Sequence, residues 1–149
     1  MTPPMQTSEI GYTVRKSFEG CLLYAYPDQR GIWTIGWGHT GPEVCKGLVW
    51  TQAQADAALI HDGAWADACV NRDVTCSISQ AEFDALTDLV YNIGSGNFQH
   101  STVLRDFDSG APITKLIADF EAWDKAAGNT NAGLLRRRVA EVHLFNQAA

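Results

Sequence analysis

The sequence predicts an α+β chain in which a small N-terminal β-hairpin lobe is joined by a long helix to a helical C-terminal lobe. Three observations carry this. Residues 22–37 hold two short runs rich in apolar, β-branched and aromatic residues, separated by Pro27-Asp28-Gln29-Arg30-Gly31, which has the composition of a turn. From Thr51 to Val70 the chain is alanine-rich and free of proline; about 20 residues make a helix near 30 Å long, enough to join two lobes. Beyond residue 70, helix start and stop signals follow one another. These features divide the single domain into lobes at approximately 15–50 and at 1–14 plus 71–149, with the inter-lobe helix at 51–70.

Each element follows from local chemistry. Residues 8–18 read as a first helix, capped by Thr7 or Ser8, with Glu9 in its first turn and Ile10, Val14 and Phe18 on one apolar face. Gly20 suits its C-terminal end, which puts Glu19 beside the negative end of the helix dipole. Leu22–Tyr26 and Ile32–Trp37 form the hairpin strands, and residues 43–49 a small third strand or loop. Thr51 with Gln54 makes a capping box for the long helix, whose stripe is Ala55, Ala58, Leu59, Ala66 and Cys69. Ser79 with Glu82 makes a second box, flanked by an Ile78–Phe83 staple, for a helix burying Phe83, Leu86, Leu89, Val90 and Ile93. A short helix from Ser101 to Asp108 comes next. Pro112 opens another, carrying Ile113, Leu116, Ile117 and Phe120. Asn129-Thr130-Asn131 reads as a loop, and the last helix carries Leu135, Val139, Val142 and Phe145.

Composition narrows the function. At 149 residues, with 46% hydrophobic and 19% charged residues, the chain is an ordinary globular one. A net charge of −6 argues against a nucleic-acid binder, and adjacent Arg136, Arg137 and Arg138 point in different directions on a helix, as solvated charge or internal ion pairs. No apolar run approaches the roughly 20 residues of a membrane helix, and the N-terminus shows no secretory signal. Four cysteines, Cys21, Cys45, Cys69 and Cys76, permit two disulfides or four thiols. Cys69 with Cys76 is the best candidate pair, closing a small loop worth up to ~2.5 kcal/mol. Scattered cysteines and histidines give no metal site.

Glu19 and Asp28 carry the candidate chemistry. Glycoside hydrolysis uses two carboxyl groups, one protonated to serve the leaving oxygen and one ionised to activate water or stabilise positive charge. Glu19, between an apolar helix face and an apolar strand, fits the acid. Asp28, in a polar turn beside Arg30, fits the ionised partner, and Thr34 on the second strand offers a hydroxyl to position water. Spacing alone also suits a helix-end residue and an ordinary turn former.

The full string resolves this. Glu19-Gly20, Leu23, Ala25-Tyr26, Asp28, Gly31, Trp33-Thr34-Ile35-Gly36 and Gly38-His39-Thr40-Gly41 resemble the signature of phage lysozymes (endolysins) of glycoside hydrolase family 24. Later segments, among them Phe83-Asp84-Ala85-Leu86, Asn92-Ile93-Gly94, Ser101-Thr102-Val103-Leu104, Trp123 and Gly133–Arg138 with Glu141, extend the resemblance over residues 8–146. It implies a lysozyme-like fold and hydrolysis of the β-1,4 bond between N-acetylmuramic acid and N-acetylglucosamine in bacterial peptidoglycan, lysing the host cell. It implies Glu19 as proton donor, Asp28 as second carboxylate and Thr34 as their polar neighbour. His39 matches a family histidine near the acid, where its role is structural and electrostatic more than chemical, and Asn92–Phe98 is a cleft segment; His39 and Phe98 are the expected substrate-binding residues. It further implies a monomer without cofactor or metal, without nucleic-acid partner or stable membrane insertion. Such a chain is made in the host cytoplasm without a signal peptide and needs a holin to reach the periplasm. A lytic transglycosylase and a non-catalytic peptidoglycan-binding domain are the alternatives.

One motif misleads. Gly36-Trp37-Gly38-His39-Thr40-Gly41 fits the dinucleotide fingerprint G-x-G-x-x-G, but Pro42 follows where a helix would have to begin.

Overall fold

The computed structural model describes residues 2–148. These form two compact units, one of Arg15–Ala64 and the other of the residues up to Val14 together with those from Trp65 onward. Helices α1 (Glu9–Phe18) and α2 (Gln52–Asp73) each contribute to both.

The Arg15–Ala64 unit is built on a three-stranded antiparallel sheet, β1 (Leu22–Pro27), β2 (Trp33–Gly36) and β3 (His39–Thr40), in that order. Tyr26 lies opposite Thr34 and Pro27 opposite Trp33; a register irregularity between Leu22 and Tyr26 bends β1. The third strand lies earlier than expected. Gly36 (φ +64°) and Gly38 (φ +92°) turn the chain back at once, so β3 pairs at residues 39–40. Residues 43–49 are loop, except that Val49 bridges Tyr24. Ile35, Val44, Ala55 and Leu59 are this unit's buried apolar residues. The Thr51–Gln54 capping box forms as expected: the Thr51 amide donates to Gln54 Oε1 (2.9 Å) and the Gln54 amide to Thr51 Oγ1 (3.2 Å).

The other unit contains α3 (Gln80–Ile93), α4 (Ser95–Gln99), α5 (Thr102–Asp108), α6 (Ile113–Glu121) and α7 (Ala132–Phe145), then a 3₁₀ turn at Asn146–Ala148. Helix α3, with its Ser79–Glu82 box complete, packs along α7. Its Phe83, Leu86, Leu89 and Val90 join Phe98, Val103, Leu116, Phe120 and Phe145 in one core, where Phe145 meets Phe107 and Phe120 edge-on. The expected loop near residue 129 is a tight hairpin, β4 (Lys125–Ala126) paired with β5 (Asn129–Thr130).

Two helix faces differ from the apolar-stripe expectation. On α1, Ile10 is 66% exposed, while Gly11, and Thr7 just ahead of the helix, are buried. A Cβ on Gly11 would lie 2.8 Å from the Asp84 carboxyl carbon, so glycine sets the approach to α3. The Thr7 and Ser8 amides donate to Asp67 (3.1 Å) and Asp84 (2.9 Å), carboxylates that satisfy the start of the helix. On α7, Val139 is exposed and Arg137, Arg138 and Glu141 are buried. Arg137 holds Asp88 through Nε (2.9 Å) and a terminal nitrogen (3.0 Å), and Arg138 holds Glu141 (2.7 Å). The arginine run is thus mostly internal ion pairing.

The Cys69–Cys76 bridge does not form. All four cysteines are free thiols; Cys69 Sγ donates to Asp73 (3.2 Å) and Cys76 Sγ to the Phe107 carbonyl (3.7 Å). Helix α2 runs on to Asp73, three residues past the expected end, which places the two cysteines in separate environments.

Candidate active site

Glu19, Asp28, Thr34 and His39 all fall within the Arg15–Ala64 unit. Glu19 follows α1 directly: its amide still donates to the Arg15 carbonyl (3.2 Å), so the carboxyl leaves the chain at the helix end, half-buried. Gly20 is open and exposed, and β1 then carries the chain to Asp28.

Asp28 is locked by its own turn. Its amide donates to the Ile32 carbonyl (2.8 Å), and Gly31, at φ +79°, returns a bond to the Asp28 carbonyl (2.9 Å). The side chain completes the loop: Oδ1 accepts from the amides of Arg30 (2.8 Å) and Ile32 (2.9 Å), while the Arg30 guanidinium lies 3.5 Å from Oδ2. The Ile32 amide is the main cause that holds the carboxyl below its ordinary range; slight burial opposes it, and Arg30 adds to it. Asp28 is therefore an ionised, pre-positioned group. With Oδ1 used by the backbone, Oδ2 faces the exposed Arg30.

Thr34 is 5% exposed and opposite Tyr26 in the register. Its hydroxyl donates to the Ile32 carbonyl (2.9 Å). The proton is thereby committed, and the oxygen's lone pairs remain to accept from a water. The peptide groups of Ile32 thus tie Asp28 and Thr34 into one unit. Sequence reasoning missed Ile32, since backbone groups leave no side-chain signature; the Asp-x-x-x-Ile-x-Thr spacing of the turn is the only trace.

His39 takes the structural and electrostatic side of its expected role. Nδ1 lies 2.6 Å from Asp62 Oδ2 and Nε2 lies 2.5 Å from Glu43 Oε1. Ionised carboxylates only accept, so the geometry calls for an imidazolium donating from both nitrogens. Burial opposes the cation, but the bonds and charges of Glu43 and Asp62 outweigh it and raise the pKa. Neither nitrogen is left for a sugar, so His39 is a structural clamp joining β3, the loop after it and α2, with its ring 5.2 Å from that of Trp50. Glu43, four residues on, was readable as a partner for His39; Asp62 was not, because only the fold brings α2 beside β3. Trp37 is similarly engaged, donating to Asp56 (2.8 Å) beneath Lys16, 5.6 Å from its ring.

Phe98, expected to meet substrate, is 0% exposed. It is a core residue of the other unit, drawn inward because α4 turns one apolar side chain against α3. No cluster of metal-ligating residues occurs among the described residues, and no helix among them is long and apolar enough to cross a membrane.

Known proteins resemble this chain over most of its length. The phage lysozyme family pattern matches residues 16–141. The chain is 39% identical over 146 residues to an endolysin of Bacillus phage PZA, covering 95% of this chain but only 55% of that protein. It is 38% identical over 148 residues to an endolysin of Acyrthosiphon pisum secondary endosymbiont phage 1, covering 97% and 100%. In three dimensions it resembles a mutant of P22 lysozyme, with a TM-score of 0.88 and 36% identity over 95% of this chain and 99% of that one. The chain belongs to the phage lysozyme family.

Proposed function

We propose that this chain is a muramidase that hydrolyses the β-1,4 bond between N-acetylmuramic acid and N-acetylglucosamine in peptidoglycan. The observation that carries the reading is the Asp28–Ile32–Thr34 arrangement, an ionised carboxylate and a hydroxyl acceptor fixed to the same residue's peptide groups. Glu19 gives its proton to the glycosidic oxygen as the bond to the anomeric carbon breaks. Positive charge grows on that carbon, and Asp28 stabilises it. A water, held by a hydrogen bond to Thr34 Oγ1, passes a proton to Asp28 and attacks from the face opposite the leaving group. This course inverts the anomeric carbon.

A lytic transglycosylase has no need for an ionised second carboxylate, and a binding domain has no need for either acid. The elaborate anchoring of Asp28 favours hydrolysis over both. Two of the family relatives are named SAR-endolysins. For this chain we propose release to the wall through a holin and action as a monomer.

Digestion of peptidoglycan in heavy-oxygen water tests the reading. Muropeptides should gain one heavy oxygen at the reducing N-acetylmuramic acid, and Glu19→Gln should abolish their release with the thermal melt unchanged. Anhydro products, or near-normal activity in Glu19→Gln, would overturn it.

A further inference from the structure

Trp65 is the one tryptophan more than a third exposed among the described residues, at 43%. Three of the other indoles are engaged by the protein itself. Trp37 carries Lys16 and Asp56, Trp50 lies against His39 and Gly36, and Trp123 packs on the core. Trp65 instead stacks nearly parallel to Tyr91, with centroids 6.1 Å apart and planes at 21°. Tyr91 is half-buried and packed against the core, so it is a firm backing for the indole. Ala68, one turn on along α2, is exposed and short, and Asn92, beside Tyr91, is an exposed amide. The result is a rigid, open π-face with a polar group in the adjoining segment. With Phe98 buried, Tyr91 and Trp65 are the aromatic surface available around the α3–α4 segment.

We propose that Trp65 is a glycan-stacking residue, whose indole receives one face of a pyranose ring or the N-acetyl methyl group of the peptidoglycan strand. The C–H bonds on a sugar face carry slight positive charge and suit the negative face of an aromatic ring. A Trp backed by a second ring is already held in place, so little freedom is lost when the sugar arrives. The residue adds to strand binding and takes no part in bond cleavage. This inference rests on the muramidase reading, because the strand is its ligand.

Calorimetry with soluble, peptide-free glycan strands on the Glu19→Gln protein measures the contact without turnover. Adding Trp65→Ala should weaken binding about tenfold, the scale of one stacking contact; Trp65→Phe, which keeps a smaller ring and guards against misfolding, should weaken it about threefold. In the active protein KM should rise by the same factors while kcat stays within twofold. Unchanged affinity in both variants, or a fall in kcat at constant KM, would overturn the proposal. So would loss of self-association with glycan affinity intact, which would make the face a contact between copies. A wild-type chain that releases no muropeptides would overturn the muramidase reading and this inference with it; normal cleavage with unaltered binding in the variants would overturn this inference alone.

Discussion

Replacing Asp62 by alanine removes one arm of the His39 clamp and exposes its contribution to stability. The Nδ1–Asp62 bond is 2.6 Å long between side chains 16% and 30% exposed. A hydrogen bond to a charged group contributes about 1.5–3 kcal/mol when well buried. Partial exposure reduces this, so about 1–2 kcal/mol is expected at pH 6, or roughly 3–6 °C in Tm for a chain of this size. Asp62→Asn keeps an acceptor but loses the charge and should cost about half as much. The pH dependence has a definite sign. The folded pKa of His39 lies above the ordinary 6.5, so the folded state holds the proton more tightly than the unfolded one. The clamp's contribution is complete below about pH 6.5 and declines as pH rises through the folded value. Thermal melts of wild type and both variants from about pH 5.5 to 9 measure it. A gap that stays flat or widens towards pH 9 would refute an imidazolium clamp.

Two further outcomes test the interior. Glu141→Ala leaves Arg138, itself 0% exposed, without its carboxylate at 2.7 Å, and should cost about 3–5 kcal/mol by urea denaturation; a loss under 1 kcal/mol would contradict the buried pairing. Thiol labelling in the folded state should modify exposed Cys45 first and Cys69 last, because burial and then Asp73 push the Cys69 thiol up to about 11. A reductant should leave Tm unchanged; a drop on reduction would indicate a bridge.

The turn in the proposed site was legible because its parts are local. Glu19 beside a helix end, Asp28 in a Pro-Asp-x-x-Gly turn and Thr34 on the following strand are close in sequence, and turn chemistry alone fixes Asp28 against Ile32. The capping boxes at Thr51 and Ser79 were legible for the same reason. Misplaced features depended on remote partners. Hydrophobic periodicity put Ile10 and Val139 inside and could not anticipate that Gly11 or a buried Arg137–Asp88 pair would occupy those faces. A 3.6-residue pattern reports apolar side chains, whereas these faces are closed by backbone approach and by charges neutralised from another helix.

By itself the sequence determined the order and type of most elements, the capping boxes and the turn that carries Asp28, because each rests on bonds formed within a few residues. Only the tertiary structure decided what His39, Phe98 and the cysteines do. His39 became a clamp when α2 brought Asp62 to it, Phe98 became core when α4 turned it against α3, and Cys69 and Cys76 found separate partners. Burial and long-range pairing set the role of a titratable or aromatic side chain, and neither is encoded in its neighbours along the chain.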